Sequence, residues 1–212
     1  MRNIFRLLGV GALMFVLGGC IENDVPYPVV KLDVLSVEAE GTKSAPVVDA
    51  SAHSIRLELE ETTDIRNVNI TKLEVTEGAK CSVAFPGTFD LRTPLYFTLS
   101  MYQEWEWTMS ASQSIERYFR VDGQIGESVI DAEHYIATAY VPMDTDMKAI
   151  NITAVKLGPK DITTYSLAPE QMKDFTGGLD LEVTAFGLTE LWTIYVEETE
   201  VSVEISKINP WT

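Results

Sequence analysis

With 212 residues, 16 basic against 32 acidic side chains and a net charge of −16, the chain is too acidic to hold nucleic acid or anionic lipid by electrostatics. Two cysteines cannot make a disulfide framework, and 46% hydrophobic residues with 13 glycines and 9 prolines describe a globular body, not a disordered one. A chain of this length holds one or two domains.

Arg2 and Arg6 precede an apolar run over 7–17. That run is shorter than the roughly 20 residues a spanning helix needs, and it suits the hydrophobic region of a secretory signal. Leu17-Gly18-Gly19-Cys20 resembles the lipobox of bacterial lipoproteins. The resemblance implies diacylglycerol on the Cys20 thiol, cleavage after residue 19 and acylation of the new amine; the alternative is a secreted chain with a free thiol at Cys20. Three acyl chains anchor stably, where one binds only marginally. Losing Arg2 and Arg6 takes the net charge from −16 to −18. Glu22-Asn23-Asp24 is similar to the surface-export signal of Bacteroidota lipoproteins, which implies the outer face of the outer membrane. Residues 20–28, with Pro26 and Pro28, read as a short extended tether rising roughly 3 Å per residue.

Beyond the tether the chain repeats itself. Residues 47–77 return 82 positions later as 129–159, with eight identities: Val47, Asp49, Ala50, Thr63, Asp64, Asn69, Ile70 and Thr71. The hydrophobic phase returns too, which marks two copies of one module. Alternation is cleanest at 54–60, where Ile55, Leu57 and Leu59 face in and Arg56, Glu58 and Glu60 face out. Val68 and Ile70 share one parity and Leu73 and Val75 the other; the second copy slips in the same way. A bulge or bend is expected at Thr71-Lys72 and Thr153-Ala154.

Residues 95–101 and 105–110 form an expected hairpin with its tip at Tyr102-Gln103-Glu104, answered by 179–186 and 191–196. Trp107-Thr108 aligns with Trp192-Thr193, and a short helical turn fits 169–175. Residues 116–121 both close the first module and, by the offset, open the second; Val201, Val203 and Ile205 hold the equivalent last place. The expected architecture is all-β: two tandem immunoglobulin-like antiparallel β-sandwich modules, 29–121 and 122–206, with 207–212 leading into a linker.

Chemistry is sparse. His53 and His134 occupy nearly matching turns, outside any metal-ligand spacing, and no nucleophile elbow or phosphate loop occurs. With 32 acids, pairs such as Glu60-Glu61 and Glu197-Glu198 arise by chance, and Asp144-x-Asp146 lacks the glycine and final glutamate of a calcium loop. No catalytic residue, cofactor or metal is expected. Cys81 reads as a small packed hydrophobe. Asn69-Ile70-Thr71 and Asn151-Ile152-Thr153 match a glycosylation sequon, but in a lipobox protein they read as structural residues of the bend. Tyr102 and Trp105 are the candidate ligand contacts, because aromatic side chains can stack on sugar rings and Trp105 has Glu190 as its counterpart. Burial of Trp105 beside Trp107 is the competing reading.

Segments 22–30, 60–64, 87–91 and 192–197 together resemble the N-terminal region of Bacteroidota surface lipoproteins whose C-terminal domain is named for carbohydrate metabolism. That resemblance implies a cell-envelope protein associated with glycan use, whose N-terminal modules serve as stalk or binding platform. With no catalytic constellation in the residues, the expected function is a non-catalytic cell-surface lipoprotein, a stalk and glycan-interaction module of a polysaccharide-use system. The expected partners are the membrane, through Cys20, and a polysaccharide or an envelope protein. The alternative is an adhesin or pilus-like assembly subunit joined through strand edges.

Overall fold

The computed structural model describes residues 30–200. The signal peptide, Cys20, the tether, and the strand and linker expected after residue 200 lie outside the described residues. From Leu32 to residue 200 the chain packs as one compact unit. Among the described residues the regular structure is strand, with one turn of 3-10 helix at Pro169–Gln171.

The first half holds β1 (Val34–Ala39), β2 (Val47–Asp49), β3 (Ser54–Leu59), β4 (Val68–Val75), β5 (Lys80–Cys81), β6 (Gly87–Phe89), β7 (Leu95–Ser100) and β8 (Glu104–Gln113). They form a three-stranded sheet, β1-β4-β6, and a five-stranded sheet, β2-β3-β8-β7-β5. The second half holds β9 (Tyr118–Val121), β10 (Val129–Asp131), β11 (Ile136–Pro142), β12 (Ile152–Lys156), β13 (Thr164–Tyr165), β14 (Leu179–Ala185) and β15 (Leu188–Thr199). Its sheets are β12-β9 and β10-β11-β15-β14-β13, so the five-stranded order recurs strand for strand.

The large sheets are mixed, not wholly antiparallel as expected: β3 runs parallel to β8, and β11 parallel to β15. Several strands separate the members of each pair, enough chain for the crossover that a parallel pairing needs. The expected closing strand also shifts. β9 pairs with β12, and its Phe119 and Val121 lie in the second core, so it belongs to the second half alone. Its counterpart in the first half is β1.

Alternation on β3 does what its pattern requires. Ile55, Leu57 and Leu59 are buried with Val68, Ile70, Phe97, Leu99, Trp107 and Met109. The second core gathers Ala137, Ala139, Val141, Leu181, Trp192 and Ile194 around Phe119. Both tryptophans are fully buried at equivalent places, opposite Phe97 and Leu181. The phase slips are bulges: the β1–β4 register skips Thr71 and the β9–β12 register skips Thr153. A third slip falls at Leu35, which stands 64% exposed between two register pairs.

The repeated polar residues close turns. Asp49 Oδ1 accepts the N–H of Ser51 and Ala52, and Asp131 Oδ1 those of Glu133 and His134. Asp64 Oδ1 accepts the Arg66 N–H and Asp146 Oδ1 that of Lys148, both at 3.0 Å. Such Asx turns satisfy backbone donors with no partner in the sheet. Asn69 and Asn151 each lend a carbonyl, to the N–H of Glu40 and Asp122. The copies diverge where β6 lies along β4; in the second half the 3-10 turn and the residues after it take that place, with Phe175 N–H bonded to Met147 O as Leu91 N–H is to Ile65 O.

Candidate functional site

The hairpin β7–β8 pairs Ser100 with Glu104, leaving residues 101–103 as its tip. Tyr102 projects from it, 87% exposed, beside a shallow depression of about 390 Å³ lined by Gly78, Lys80, Ser100, Met101, Gln103 and Glu104. A planar ring flanked by lysine, glutamine and glutamate offers both stacking and hydrogen bonding.

Trp105 is not part of that surface. It pairs across the hairpin with the buried Leu99, so its indole lies on the inward side. There it meets the His53 ring edge to face at 4.9 Å, and its buried N–H finds no acceptor among the described residues. The structure therefore separates the two candidate contacts. The true counterpart of His53 is Tyr135, not His134. Both have positive φ, both accept a hydrogen bond from the threonine after the repeated tryptophan, and both pack a ring on that tryptophan. The Trp105–His53 ring pair of the first half becomes a hydrogen bond from Tyr135 Oη to Glu190 in the second, and the Glu190 charge raises the Tyr135 phenol above its usual pKa. His134 instead bonds Asp131 at 2.8 Å on the exposed side of its turn.

A second constellation lies where the halves meet. The β14–β15 hairpin turns in two residues, Phe186 and Gly187, both with positive φ as a type I′ turn requires. The Phe186 carbonyl accepts a 2.6 Å hydrogen bond from Arg66 Nη2, and the same guanidinium is held twice by Asp64 at 2.8 Å. Hydrogen bonds from the Arg66 side chain are the largest cause that lowers the Asp64 carboxyl to about 2. Beside this clamp, Lys156 Nζ reaches Glu61 at 2.7 Å, and that bond holds the Glu61 carboxyl below its usual range. A cleft of about 180 Å³ opens on the clamp itself, lined by Asp64, Arg66 and Phe186 and, among others, by Ile65, Gln113, Arg117 and Glu190. The Arg117 guanidinium donates to Leu157 O and lies 6.0 Å from the Trp192 ring. Sequence reading missed this junction; its one local signal was an arginine two places after a repeated turn aspartate in an acid-rich chain.

Among the described residues no group of three or more His, Cys, Asp or Glu side chains converges as a metal site, and no helix is long and apolar enough to cross a membrane. Cys81 is a half-buried free thiol whose pKa burial pushes up.

No family model matches the chain, and no curated protein matches it. Among solved structures it is similar to a candidate glycoside hydrolase from Bacteroides thetaiotaomicron, with 17% identity, TM-score 0.37 and coverage of 50% of this chain and 33% of the other. It is also similar to a DUF4623 family protein from Bacteroides eggerthii, with 13% identity, TM-score 0.34 and coverage of 58% and 31%. The chain thus matches about a third of the length of each. Both scores are low, and neither likeness bears on what this chain binds.

Proposed function

We propose that this chain is a non-catalytic lipoprotein of the cell surface, held at the outer membrane through Cys20. It serves a polysaccharide-use system as a stalk, with the Tyr102 hairpin tip as a glycan contact. The observation that carries the stalk reading is the direction of the chain. It enters the first half near the β7–β8 tip, where Leu32 O accepts the Trp107 indole N–H. The Arg66–Phe186 clamp joins the opposite end of that half to the tip of the second. The chain then leaves along β15, whose last residue, Thr199, pairs with Pro142 at the end remote from the clamp. Two halves joined tip to turn, with Leu32 at one end and Thr199 at the other, suit a spacer.

Anchoring is tested by palmitate labelling, which Cys20→Ala should abolish; a labelled variant removes the lipoprotein reading. Glycan contact is tested by affinity electrophoresis against a polysaccharide panel. Retardation that Tyr102→Ala eliminates is the expected result, and none across the panel would end the glycan reading. A second reading, assembly through protein contacts, is favoured by Phe186: at the position equivalent to Tyr102, a hairpin tip is already docked on a module.

A further inference from the structure

The junction joins two surfaces that each occur twice in the chain. The donor is a hairpin tip carrying an aromatic residue, Phe186 in the second half and Tyr102 in the first. The acceptor is the turn after the first strand of the inner pair, residues 61–66 in the first half and 143–148 in the second. Inside the molecule, the second donor sits on the first acceptor. The remaining donor and the remaining acceptor lie at opposite ends, with no partner among the described residues.

The second acceptor keeps the build of the occupied one. Asp146 holds its turn as Asp64 does, through the N–H two residues on, and the N–H of Ala149 bonds Asp146 O at 3.0 Å as that of Asn67 bonds Asp64 O at 2.9 Å. Lys148 stands in the place of Arg66, a cation able to donate to a tip carbonyl. Met143 replaces Glu61 and is 54% exposed, an apolar cover for an aromatic ring where the first half carries an ion pair.

We infer that a second copy of this chain fills that acceptor: copies associate head to tail, the Tyr102 tip of one on the Met143–Lys148 turn of the next. Lys148 donates to a carbonyl of the incoming tip, and Met143 packs on the Tyr102 ring. The contact is heterologous, so an assembly of any length keeps one free donor at one end and one free acceptor at the other, and growth is linear. A single tip buries little area, which places the affinity in the weak range typical of small interfaces. The inference deepens the assembly reading, does not depend on anchoring, and draws on the same Tyr102 tip as the glycan contact.

The test is sedimentation velocity on soluble residues 21–212 over rising concentration. The wild-type chain should associate, and Tyr102→Asp and Met143→Asp should each weaken that association at least about tenfold. Both side chains are exposed, so both variants should keep the wild-type circular dichroism. Each variant spoils one face and keeps the other, so an equimolar mixture should form dimers and stop there. A wild type that stays monomeric throughout, a variant that associates as well as wild type, or a mixture that stays monomeric overturns the inference. Met143→Asp should leave any polysaccharide retardation intact, which separates this contact from glycan binding at Tyr102.

Discussion

The two hairpin tips occupy the same place in a repeated fold and meet different surroundings. Phe186-Gly187 is a two-residue turn whose carbonyl is taken by Arg66; residues 101–103 make a longer loop that leaves Tyr102 in solvent. The tryptophans behind them differ in the same spirit. Trp107 donates its indole N–H to Leu32 O at 3.3 Å, while the equally buried Trp192 has no acceptor among the described residues and an arginine over its ring. A repeat secures the scaffold twice. What each copy does depends on what lies against its two ends.

The comparison can be pressed hardest at the tryptophans. Trp107→Ala and Trp192→Ala should each cost about 3–5 kcal/mol in urea denaturation. Replacement by Phe is the sharper cut: Trp107→Phe loses a hydrogen bond and should cost about 1 kcal/mol more than Trp192→Phe. Equal costs would mean that the Leu32 contact contributes nothing. At the junction, Arg66→Ala should lower Tm by about 3 °C. Arg92→Ala, which removes only the exposed pair with Asp90, should leave Tm unchanged.

Acid titration isolates the contribution of Asp64. The folded-state pKa of Asp64 is depressed from 3.8 to about 2, so its stabilisation is fully present above its unfolded value and is lost as pH falls through about 2. Asp64→Asn should therefore melt below wild type at pH 6, with the gap closing as pH approaches 2. A constant gap would assign the effect to packing instead of charge. A small effect is expected at Tyr135→Phe, which removes a 3.3 Å exposed bond to Glu190 and should change stability by less than about 0.5 kcal/mol.

Local chemistry was legible in the sequence. The slips at Thr71 and Thr153 showed as a change of parity, because a bulge moves every later side chain to the other face. The turn acids showed as identities, and the 3-10 turn as a proline-led break. Non-local facts were not legible. Alternation is the same whether a neighbouring strand runs parallel or antiparallel, so the β3–β8 and β11–β15 directions were hidden. Trp105 looked unmatched because its partner is a histidine some fifty residues away in the chain, and that pairing exists only once the sheet forms. Arg66 could not be told from any other surface arginine until Phe186 was brought to it.

The parallel pairing also bears on how the chain reaches its fold. In the first half's large sheet, β8 is the last strand made and lies between β3 and β7; in the second half, β15 is last and lies between β11 and β14. Neither large sheet can close until its final strand arrives, so a chain stopped before Glu104 would leave β3 and β7 with bare edges facing an empty slot. Open edges recruit strands from other molecules. Non-local closure is slow as well. Each half should therefore fold as one late, all-or-nothing event, and any nascent or truncated form lacking its last strand should be captured by holding factors or lost to aggregation.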